Sequence, residues 1–404
     1  MFARCFAFVA SALMFLPACG SDSTRATRPE DSGASPPKLD FTEYDAAISA
    51  FLADHGIKGA SGVVVHQDYG QVHVQGYGEY AADRLYLVAS SSKVVSVGVL
   101  MRLADEGMLD IDAPIGQYLS AWGAGGKPDL EVAQLLSNSS GLVGLIDDPT
   151  YAPYLCQYID AGTLSDCAKA IYTANDSDRR KPPDTSFHYG GGQWQLAGGI
   201  AEVVSGKKWG DLLKETYADP CDAPSLGYTN QYTKAASGGV AGALAYPAFF
   251  QADVANLPQT GNPSIEGGLY TTAEDYGKIL LMHLRGGTCD GGRVLSSAAV
   301  DRMRADRILE KYNGSTSGTA GAATMTDAGS SMALDGYGLG WWIDRVHTGV
   351  FADPGAYGAF PWLDLARGYA AFIVIEADAG TGAQLWATVK PVLDGMFDSA
   401  ASHR

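Results

Sequence analysis

Two side chains with complementary acid–base chemistry lie three residues apart in the segment VASSSK, residues 88–93. Ser90 and Lys93 are spaced i and i+3, so in a helix they share one face, about 5–6 Å apart at Cβ. A serine at a helix N-terminus lies at the positive end of the dipole, which favours an alkoxide or oxyanion. A buried lysine can lose its proton near neutral pH and act as a base. The spacing therefore predicts a nucleophile–base pair with Lys93 neutral.

The S-x-x-K pattern alone is a weak signal, because about one or two chance matches are expected in a chain of this length. A second match begins at Ser205 and ends at Lys208. Gly206 follows that serine, which favours a helix C-terminus, where the dipole disfavours an anion. We therefore interpret Ser205 as part of a helix cap and loop, and Ser90 as the nucleophile.

The elements that would position Ser90 follow from the hydrophobic patterns. Residues 91–108 predict a helix that is apolar on nearly all sides and therefore buried. Residues 60–66 and 71–77 predict a β-hairpin around the turn at Asp68-Tyr69-Gly70. Further helices are predicted at 44–55, 130–136, 193–204, 272–284 and 384–397, and strands at 337–345, 349–352, 356–364 and 368–376.

Strands thus lie at both ends of the chain, and helices lie between them. This order predicts a mixed α/β (α+β) fold, in which both chain ends form one antiparallel sheet flanked by helices, with a mostly helical inserted lobe. The stretch 313–330 is rich in small and polar residues and predicts a mobile loop.

Several blocks around these elements resemble one known family. They are VASSSK at 88–93, EGMLDIDAPIGQYL at 106–119, LLSNSSGL at 135–142, GGLYTTAED at 267–275 and YGLGWW at 337–342. In this order they are similar to the serine β-lactamase and penicillin-binding-protein superfamily, in particular to class C β-lactamases and family VIII carboxylesterases. The resemblance extends over about residues 44–397 and is far more specific than any one motif. It implies the β-lactamase/transpeptidase-like fold.

The family's second motif, Tyr-x-Asn, has its counterpart in FHYGG, residues 187–191. By this resemblance Tyr189 is the second proton-transfer residue, which passes the proton to the leaving group. Gly191 replaces the Asn, whose amide would bind the substrate and the lysine. Because that contact is lost, recognition of amide substrates in the manner of the family is not expected. His188 is expected to form local hydrogen bonds rather than to act as a base.

The family's third motif, Lys-Thr-Gly or a related triplet, has two candidates here. His347-Thr348-Gly349 has suitable residue types but lies where a hairpin turn is expected. Asp353-Pro354-Gly355 is followed by AYGAFPWLD, which resembles the block GAYGSFLWID of the family, and is preferred. The resemblance then implies an oxyanion hole formed by the backbone N–H groups of Ser90 and Ala356.

The substrate-binding residues predicted from these motifs are Gly191, Asp353 and Gly355. Asp353 stands where relatives place a cation that binds a substrate carboxylate, and it would repel one. β-Lactams and acyl-D-Ala-D-Ala peptides both carry a carboxylate. Carboxylic esters or neutral amides are therefore the favoured substrates.

The start of the chain predicts export. An apolar run over residues 6–17 is shorter than the roughly 20 residues of a membrane-spanning helix and suits a secretory signal. It ends in LPAC, which resembles a bacterial lipobox and implies lipidation of Cys19; an ordinary signal peptide cut elsewhere is the alternative. Residues 20–40 are polar and predict a flexible tether, so the predicted division is leader 1–19, tether 20–40 and hydrolase domain 41–400.

Four cysteines follow Cys19, an even number that suggests disulfides in an exported protein. Three pairings are possible, and four free thiols are the remaining alternative. We favour Cys156–Cys167, which closes a short loop, together with Cys221–Cys289.

The composition and the motifs argue against several classes of binding partner. The formal net charge is −17 and no basic cluster is present, which argues against nucleic acid. No spacing of a zinc site, phosphate-binding loop or α/β-hydrolase elbow occurs, so no cofactor and no metal are expected. The membrane is expected to be contacted only through the lipid anchor, in the bacterial cell envelope.

Together these features predict a lipid-anchored serine hydrolase that acts through an acyl-enzyme on a small ester or neutral amide. A β-lactamase or D,D-peptidase on the same fold is one alternative. A catalytically silent cell-envelope binding lipoprotein is the other, although intact Ser90, Lys93 and Tyr189 argue against it.

Overall fold

The computed structural model describes residues 39–123, 126–144, 148, 150–235, 239–316 and 334–402. The predicted leader, Cys19 and nearly all of the tether lie outside these residues, as does most of the loop predicted at 313–330. None of the described helices is both long and apolar enough to cross a bilayer.

The helices are α1 Thr42–His55, α2 Lys93–Asp105, α3 Val132–Leu136, α4 Leu164–Thr173, α5 Gly191–Ser205, α6 Trp209–Leu213, α7 Tyr232–Ala235, α8 Gly239–Leu244, α9 Ala273–Leu284, α10 Ser297–Arg304, α11 Arg307–Tyr312 and α12 Ala379–Ser402. The strands are β1 Gly59–His66, β2 Gly70–Gly78, β3 Tyr86–Leu87, β4 Gly227–Tyr228, β5 Leu269–Thr271, β6 Thr288–Cys289, β7 Gly292–Arg293, β8 Gly336–Tyr337, β9 Trp342–Ile343, β10 Val350–Ala352, β11 Ala359–Asp364 and β12 Tyr369–Ile375.

The main sheet joins both ends of the described chain. Its strand order is β2-β1-β12-β11-β10-β9-β8, with antiparallel pairing throughout. β1 pairs with β12 along its length, from Ala60 opposite Ile375 to His66 opposite Tyr369. The predicted architecture, a terminal antiparallel sheet with helices inserted between its halves, is therefore confirmed.

Alternation along the central strands gives the sheet two buried faces. In β1, Val63 and Val65 join the core that contains α2, α5 and α9, whereas Ala60 and Val64 join the core beneath α1 and α12. Successive side chains of a strand point to opposite faces, so a strand between two helical layers is apolar throughout. The sheet is thus sandwiched between helices, and α9 packs on its inner face, in the same core as the buried helix α2.

One predicted strand is divided in two. Residues 337–345 were expected to form a single strand, but β8 and β9 are separated by a turn at Gly340, whose φ is 80°. A positive φ is easily adopted by glycine, and it reverses the chain here so that β8 pairs with β9.

Both favoured disulfides are formed, Cys156–Cys167 and Cys221–Cys289. The first links the segment before α4 to α4 itself, and the second links the end of the α6 region to β6. Both lie in the helical part inserted between the strands of the main sheet.

Candidate active site

Ser90 lies in a tight turn at the start of the buried helix. Residues 89–92 form a single 3₁₀ turn that continues into α2 at Lys93. Ala89 has a φ of 46°, an uncommon conformation for a residue with a side chain. This turn places Ser90 before the first α-helical residue, where the unpaired N–H groups of a helix point.

Burial distinguishes Ser90 from the two serines that follow it. Ser91 and Ser92 are completely buried, whereas Ser90 is partly exposed. The Ser91 hydroxyl donates to the carbonyl oxygen of Asp353 at 2.6 Å, and the Ser92 hydroxyl donates to that of Ala89 at 2.5 Å. Both hydroxyls therefore hold the turn together, and Ser90 is left facing the solvent side.

Lys93 is fully buried, and oxygen atoms surround its ammonium group. Nζ donates to Ser90 Oγ at 2.9 Å and to the carbonyl oxygen of Glu266 at 3.1 Å. The Glu266 carboxylate oxygen Oε2 lies 3.5 Å away, and the ring centroid of Tyr189 lies 4.6 Å away. The predicted nucleophile–base pair is thus brought into hydrogen-bond contact.

These neighbours change the expected charge of Lys93. Burial lowers the pKa of this lysine, but Tyr189, Glu266 and Asp353 together raise it further, so that it lies above its ordinary value. An ammonium has three hydrogens to donate, and here three oxygens are close to it. The resting structure therefore favours the ammonium form, contrary to the neutral lysine expected from burial alone.

Tyr189 packs beside this pair, at the end of the segment that leads into α5. Its ring lies against those of Phe187 and Trp342, with centroids 6.1 and 5.8 Å away. Burial raises the pKa of the Tyr189 phenol, and the nearby charge of Lys93 offsets part of this rise. The phenol is therefore neutral at rest and close enough to Ser90 and Lys93 to relay a proton. His188 bonds locally, as expected, with Nε2 2.7 Å from Ser186 Oγ.

The loop chosen as the third motif lies directly against the Ser90 turn. A Cβ added to Gly355 would lie 2.1 Å from the carbonyl oxygen of Val88 and 3.1 Å from Ser91 Oγ. Only glycine permits this close approach of the loop that contains Ala356 to the turn that contains Ser90. The competing triplet lies in the turn between β9 and β10, where His347 Nδ1 is 2.8 Å from Asp344 Oδ2.

Asp353 has a different position from the one expected. Its side chain is completely buried, and Oδ2 accepts a hydrogen bond from the N–H of Val94 at 3.1 Å. Burial raises the pKa of this carboxyl well above its ordinary value, with Lys93 opposing the shift. Direct repulsion of a substrate carboxylate by Asp353 was therefore the wrong argument, because this group faces the first turn of α2.

Gly191 begins α5, and the space of its missing side chain is occupied. A Cβ at this position would lie 1.9 Å from Gln157 Oε1 and 2.1 Å from Glu266 Oε1. An Asn could not fit here without displacing both groups. The glycine that replaces the family Asn thus makes room for a carboxylate, which contacts Lys93.

Sequence reasoning missed Glu266 and Gln157. Glu266 directly precedes the block GGLYTTAED, so an acidic residue next to a recognised motif was the available signal. Gln157 gave none, because it is separated from Gly191 by 34 positions and only the fold brings the two together.

The second S-x-x-K match lies at the end of α5. Ser205 Oγ donates to the carbonyl oxygen of Ala201 at 2.6 Å, and Gly206 caps the helix with a φ of 70°. Lys208 forms an ion pair with Glu202 at 3.2 Å. This serine therefore has the helix-capping role expected of it.

Among the residues that the structure describes, no group of three or more His, Cys, Asp or Glu side chains could hold a metal ion. The groups around Ser90 are a hydroxyl, an ammonium, a phenol and a carboxylate. Such a set can transfer protons and form an ester bond to the serine.

Comparison with known proteins identifies the family. The model of the beta-lactamase family matches residues 44–390, so the chain belongs to that family. Penicillin-binding protein 4 of Amycolatopsis lactamdurans is 27% identical over 369 residues, which cover 85% of this chain and 86% of the relative.

Two solved structures share the fold. A Bacteroides dorei protein solved as a candidate beta-lactamase superposes with a TM-score of 0.66 at 24% identity and covers 89% of this chain and 98% of its own. A family VIII carboxylesterase superposes with a TM-score of 0.57 at 18% identity and covers 89% of this chain and 99% of its own. The fold is thus the serine β-lactamase/transpeptidase fold, and the similarities support a serine hydrolase of this superfamily.

Proposed function

We propose that this protein hydrolyses neutral carboxylic esters through an acyl-enzyme on Ser90. The observation that carries this proposal is the hydrogen bond of 2.9 Å from Lys93 Nζ to the hydroxyl of Ser90, the partly exposed serine of the turn. Nucleophile, base and helix N-terminus are thereby combined at one point, which is the arrangement that serine acyl transfer needs.

In the acylation step, Ser90 Oγ attacks the ester carbonyl carbon while Lys93, in its deprotonated fraction, takes the hydroxyl proton. The oxyanion is stabilised by the N–H groups of Ser90 and Ala356. Collapse of the tetrahedral intermediate breaks the bond to the leaving alcohol, which receives the proton through Tyr189. Water then hydrolyses the acyl-enzyme and restores Ser90.

The preference for neutral esters follows from the charges around Ser90. Lys93 contributes one positive charge, and the carboxylate of Glu266 already lies 3.5 Å from it. A substrate carboxylate would gain little from a cation that is already paired, and it would be repelled by Glu266. A neutral acyl group and alcohol meet no such penalty. Neutral amides remain the second substrate class, because their leaving group requires full protonation.

The proposal is tested by covalent labelling followed by intact-mass measurement. The protein is incubated with a fluorophosphonate and, separately, with benzylpenicillin, alongside Ser90→Ala and the matched control Ser205→Ala. We expect a fluorophosphonate adduct on the wild type and on Ser205→Ala, and none on Ser90→Ala. A fluorophosphonate adduct that survives in Ser90→Ala would overturn the assignment.

The penicillin arm tests the substrate class. The relative named penicillin-binding protein 4 favours a reaction with penicillin, whereas the pairing of Lys93 with Glu266 argues against it. We expect no penicillin adduct under conditions in which the fluorophosphonate reacts fully. An adduct on Ser90 would replace the ester proposal by a β-lactamase or D,D-peptidase. Failure of both reagents would support the silent binding protein.

A further inference from the structure

Two acceptor oxygens converge at the first residue of α5, next to the Ser90–Lys93 pair. Glu266 Oε1 and Gln157 Oε1 both lie about 2 Å from the point where a Gly191 Cβ would be, so they are within about 4 Å of each other. Glu266 and Gln157 are 7% and 6% exposed. Within the described part of the chain, Gln157 Oε1 has no hydrogen-bond partner. A buried acceptor of this kind costs free energy unless a donor reaches it.

The group that suits two such acceptors is a donor with two hydrogens. A water molecule can donate one hydrogen to the Glu266 carboxylate and one to the Gln157 carbonyl oxygen, with distances near 2.8 Å. Its lone pairs are then left unpaired and nucleophilic. A substrate ammonium is disfavoured at this position, because Lys93 Nζ lies only 3.5 Å from the same carboxylate and would repel it.

The position also lies within reach of the acyl group. Steps of 2.9 Å from Ser90 Oγ to Lys93 Nζ and 3.5 Å from there to Glu266 Oε2 place the carboxylate within about 6.5 Å of the nucleophile oxygen. One water molecule, bonded to the carboxylate and in contact with a carbonyl carbon on Ser90, spans this distance.

Lys93 is poorly suited to activate that water. Its ammonium group already faces three oxygens, and its pKa is raised above the ordinary value after the opposing effect of burial. Once the Ser90 proton has passed to the leaving alcohol, Lys93 takes up a proton from solvent because its pKa is raised, and the resulting ammonium has no lone pair with which to accept another. Hydrolysis of the acyl-enzyme therefore needs a different base, and the carboxylate beside Lys93 is the nearest one that the structure describes.

We propose that Glu266 is the general base of the deacylation step and that Gln157 orients the hydrolytic water. The inference rests on the acyl-enzyme proposed above. Glu266 takes a proton from water as the water oxygen bonds to the acyl carbon. The tetrahedral intermediate then breaks its bond to Ser90 Oγ, which takes a proton from Lys93, and Lys93 regains one from the Glu266 carboxyl group. Atoms and charges balance, and the free acid leaves.

The test separates the two half-reactions of p-nitrophenyl butyrate hydrolysis in Glu266→Gln. For an acyl-enzyme mechanism, kcat/KM reports acylation and kcat is limited by deacylation when the acyl-enzyme accumulates. We expect kcat to fall at least about 100-fold and KM to fall with it, whereas kcat/KM should not fall, because loss of the Glu266 charge also lowers the pKa of Lys93. The acylated protein should accumulate in intact-mass spectra. Glu266→Asp should recover part of kcat.

Two further variants serve as references. Glu274→Gln removes an exposed carboxylate eight residues along the chain and should leave both constants unchanged. Gln157→Leu removes only the second acceptor and should lower kcat less than Glu266→Gln does. Fluorophosphonate labelling of Ser90 in each variant verifies that the site is folded.

The outcomes distinguish this inference from the proposed function. If the wild type forms no acyl-enzyme on Ser90, the proposed function fails first. If it does, but Glu266→Gln turns over without accumulating acyl-enzyme, the assignment of the base is wrong and Ser90 keeps its role. A labelled, folded variant in which kcat/KM falls as much as kcat would show that Glu266 only positions Lys93, and would also overturn the assignment.

Discussion

At the residue scale, burial distinguishes one accessible hydroxyl among three adjacent serines. The hydroxyls of Ser91 and Ser92 donate hydrogen bonds to carbonyl oxygens of the neighbouring loop and of the turn. The hydroxyl of Ser90 accepts a hydrogen bond from Lys93, and Ser90 remains partly exposed. The sequence singled out the serine that the structure leaves partly exposed and in contact with Lys93, because S-x-x-K spacing is local. It did not indicate the charge of Lys93, because Glu266 lies 173 residues away in the chain and raises the pKa of that lysine only in the folded protein.

The raised pKa of Lys93 predicts how acylation depends on pH. Its base form is scarce near neutrality and increases tenfold per pH unit below the folded pKa, so the rate should rise by about that factor per unit between pH 6 and 9. Stopped-flow bursts of p-nitrophenol give this rate directly. A rate that is flat over the range would contradict the account, since it would mean that Lys93 is already neutral or is not the base.

Asp353 offers a test of a buried carboxyl. Asp353→Ala leaves the N–H of Val94 without its acceptor and should cost about 1–3 kcal/mol of unfolding free energy. Asp353→Asn keeps an acceptor and should cost less. Urea unfolding of both variants and the wild type measures the difference.

The difference in unfolding free energy between Asp353→Asn and the wild type should change with pH in one direction. Burial raises the folded pKa of Asp353 above its unfolded value, so its favourable contribution is complete at low pH and is lost as pH rises through the folded pKa. Asn does not titrate. The stability of Asp353→Asn relative to the wild type should therefore improve from pH 4 to pH 8. A constant difference would show that the carboxyl titrates normally.

At the element scale, the candidate active site depends on close contact between the loop that contains Gly355 and the turn that leads into α2. Gly355 lies so close to the Val88 carbonyl oxygen that a methyl group at 2.1 Å would force the two segments apart. Gly355→Ala should therefore lower the acylation rate at least about 100-fold and destabilise the protein by about 1–3 kcal/mol. Fluorophosphonate labelling rates and urea unfolding measure these effects.

Gly210→Ala is the matched control, because its added Cβ meets nothing within 4 Å and the residue lies in α6. Alanine is the better helix former, so the control should be neutral or slightly more stable. An unchanged labelling rate in Gly355→Ala would mean that the loop does not contribute to the oxyanion hole.

Elements were predictable where one local pattern defines them. The β1–β2 hairpin, the buried helix α2 and the strands near the end of the chain follow from alternation and apolar runs. The break between β8 and β9 was not predictable, since a glycine within an apolar run also occurs in continuous strands. The orientation of Asp353 was missed for a related reason: alignment with a motif places the backbone, whereas packing against α2 decides where the carboxyl lies.

At the scale of the whole molecule, the main sheet closes on strands from both chain ends, and this closure brings the loop with Gly355 against Ser90. The order of the motif blocks therefore predicted the fold, and it also predicted that Ser90, Lys93 and Tyr189 lie close together. The acceptor pair of Gln157 and Glu266 could not be inferred in this way. The pair is formed by segments that are distant in the sequence and meet at Gly191 only in the folded protein. In the sequence, Gly191 is visible only as a departure from the family motif.

We further propose that the protein is exported and anchored by a lipid on Cys19, as the LPAC segment predicts. In a bacterial host, Cys19→Ser should remove metabolic labelling by palmitate and shift the protein from the membrane fraction to the soluble or secreted fraction. The hydrolase activity of the released protein should be unchanged, because the predicted tether, residues 20–40, lies between Cys19 and the predicted hydrolase domain in the sequence. Labelling that persists in Cys19→Ser would contradict this proposal.

The most direct test of the central claim is to trap the acyl-enzyme during ester turnover. p-Nitrophenyl butyrate hydrolysis is stopped with acid within milliseconds, and the digested protein is mapped by tandem mass spectrometry. The account predicts a butyryl group on Ser90, formed in a burst of about one equivalent and decaying at the steady-state turnover rate. Turnover at the wild-type rate in Ser90→Ala, or a butyryl group on any other residue, would contradict it.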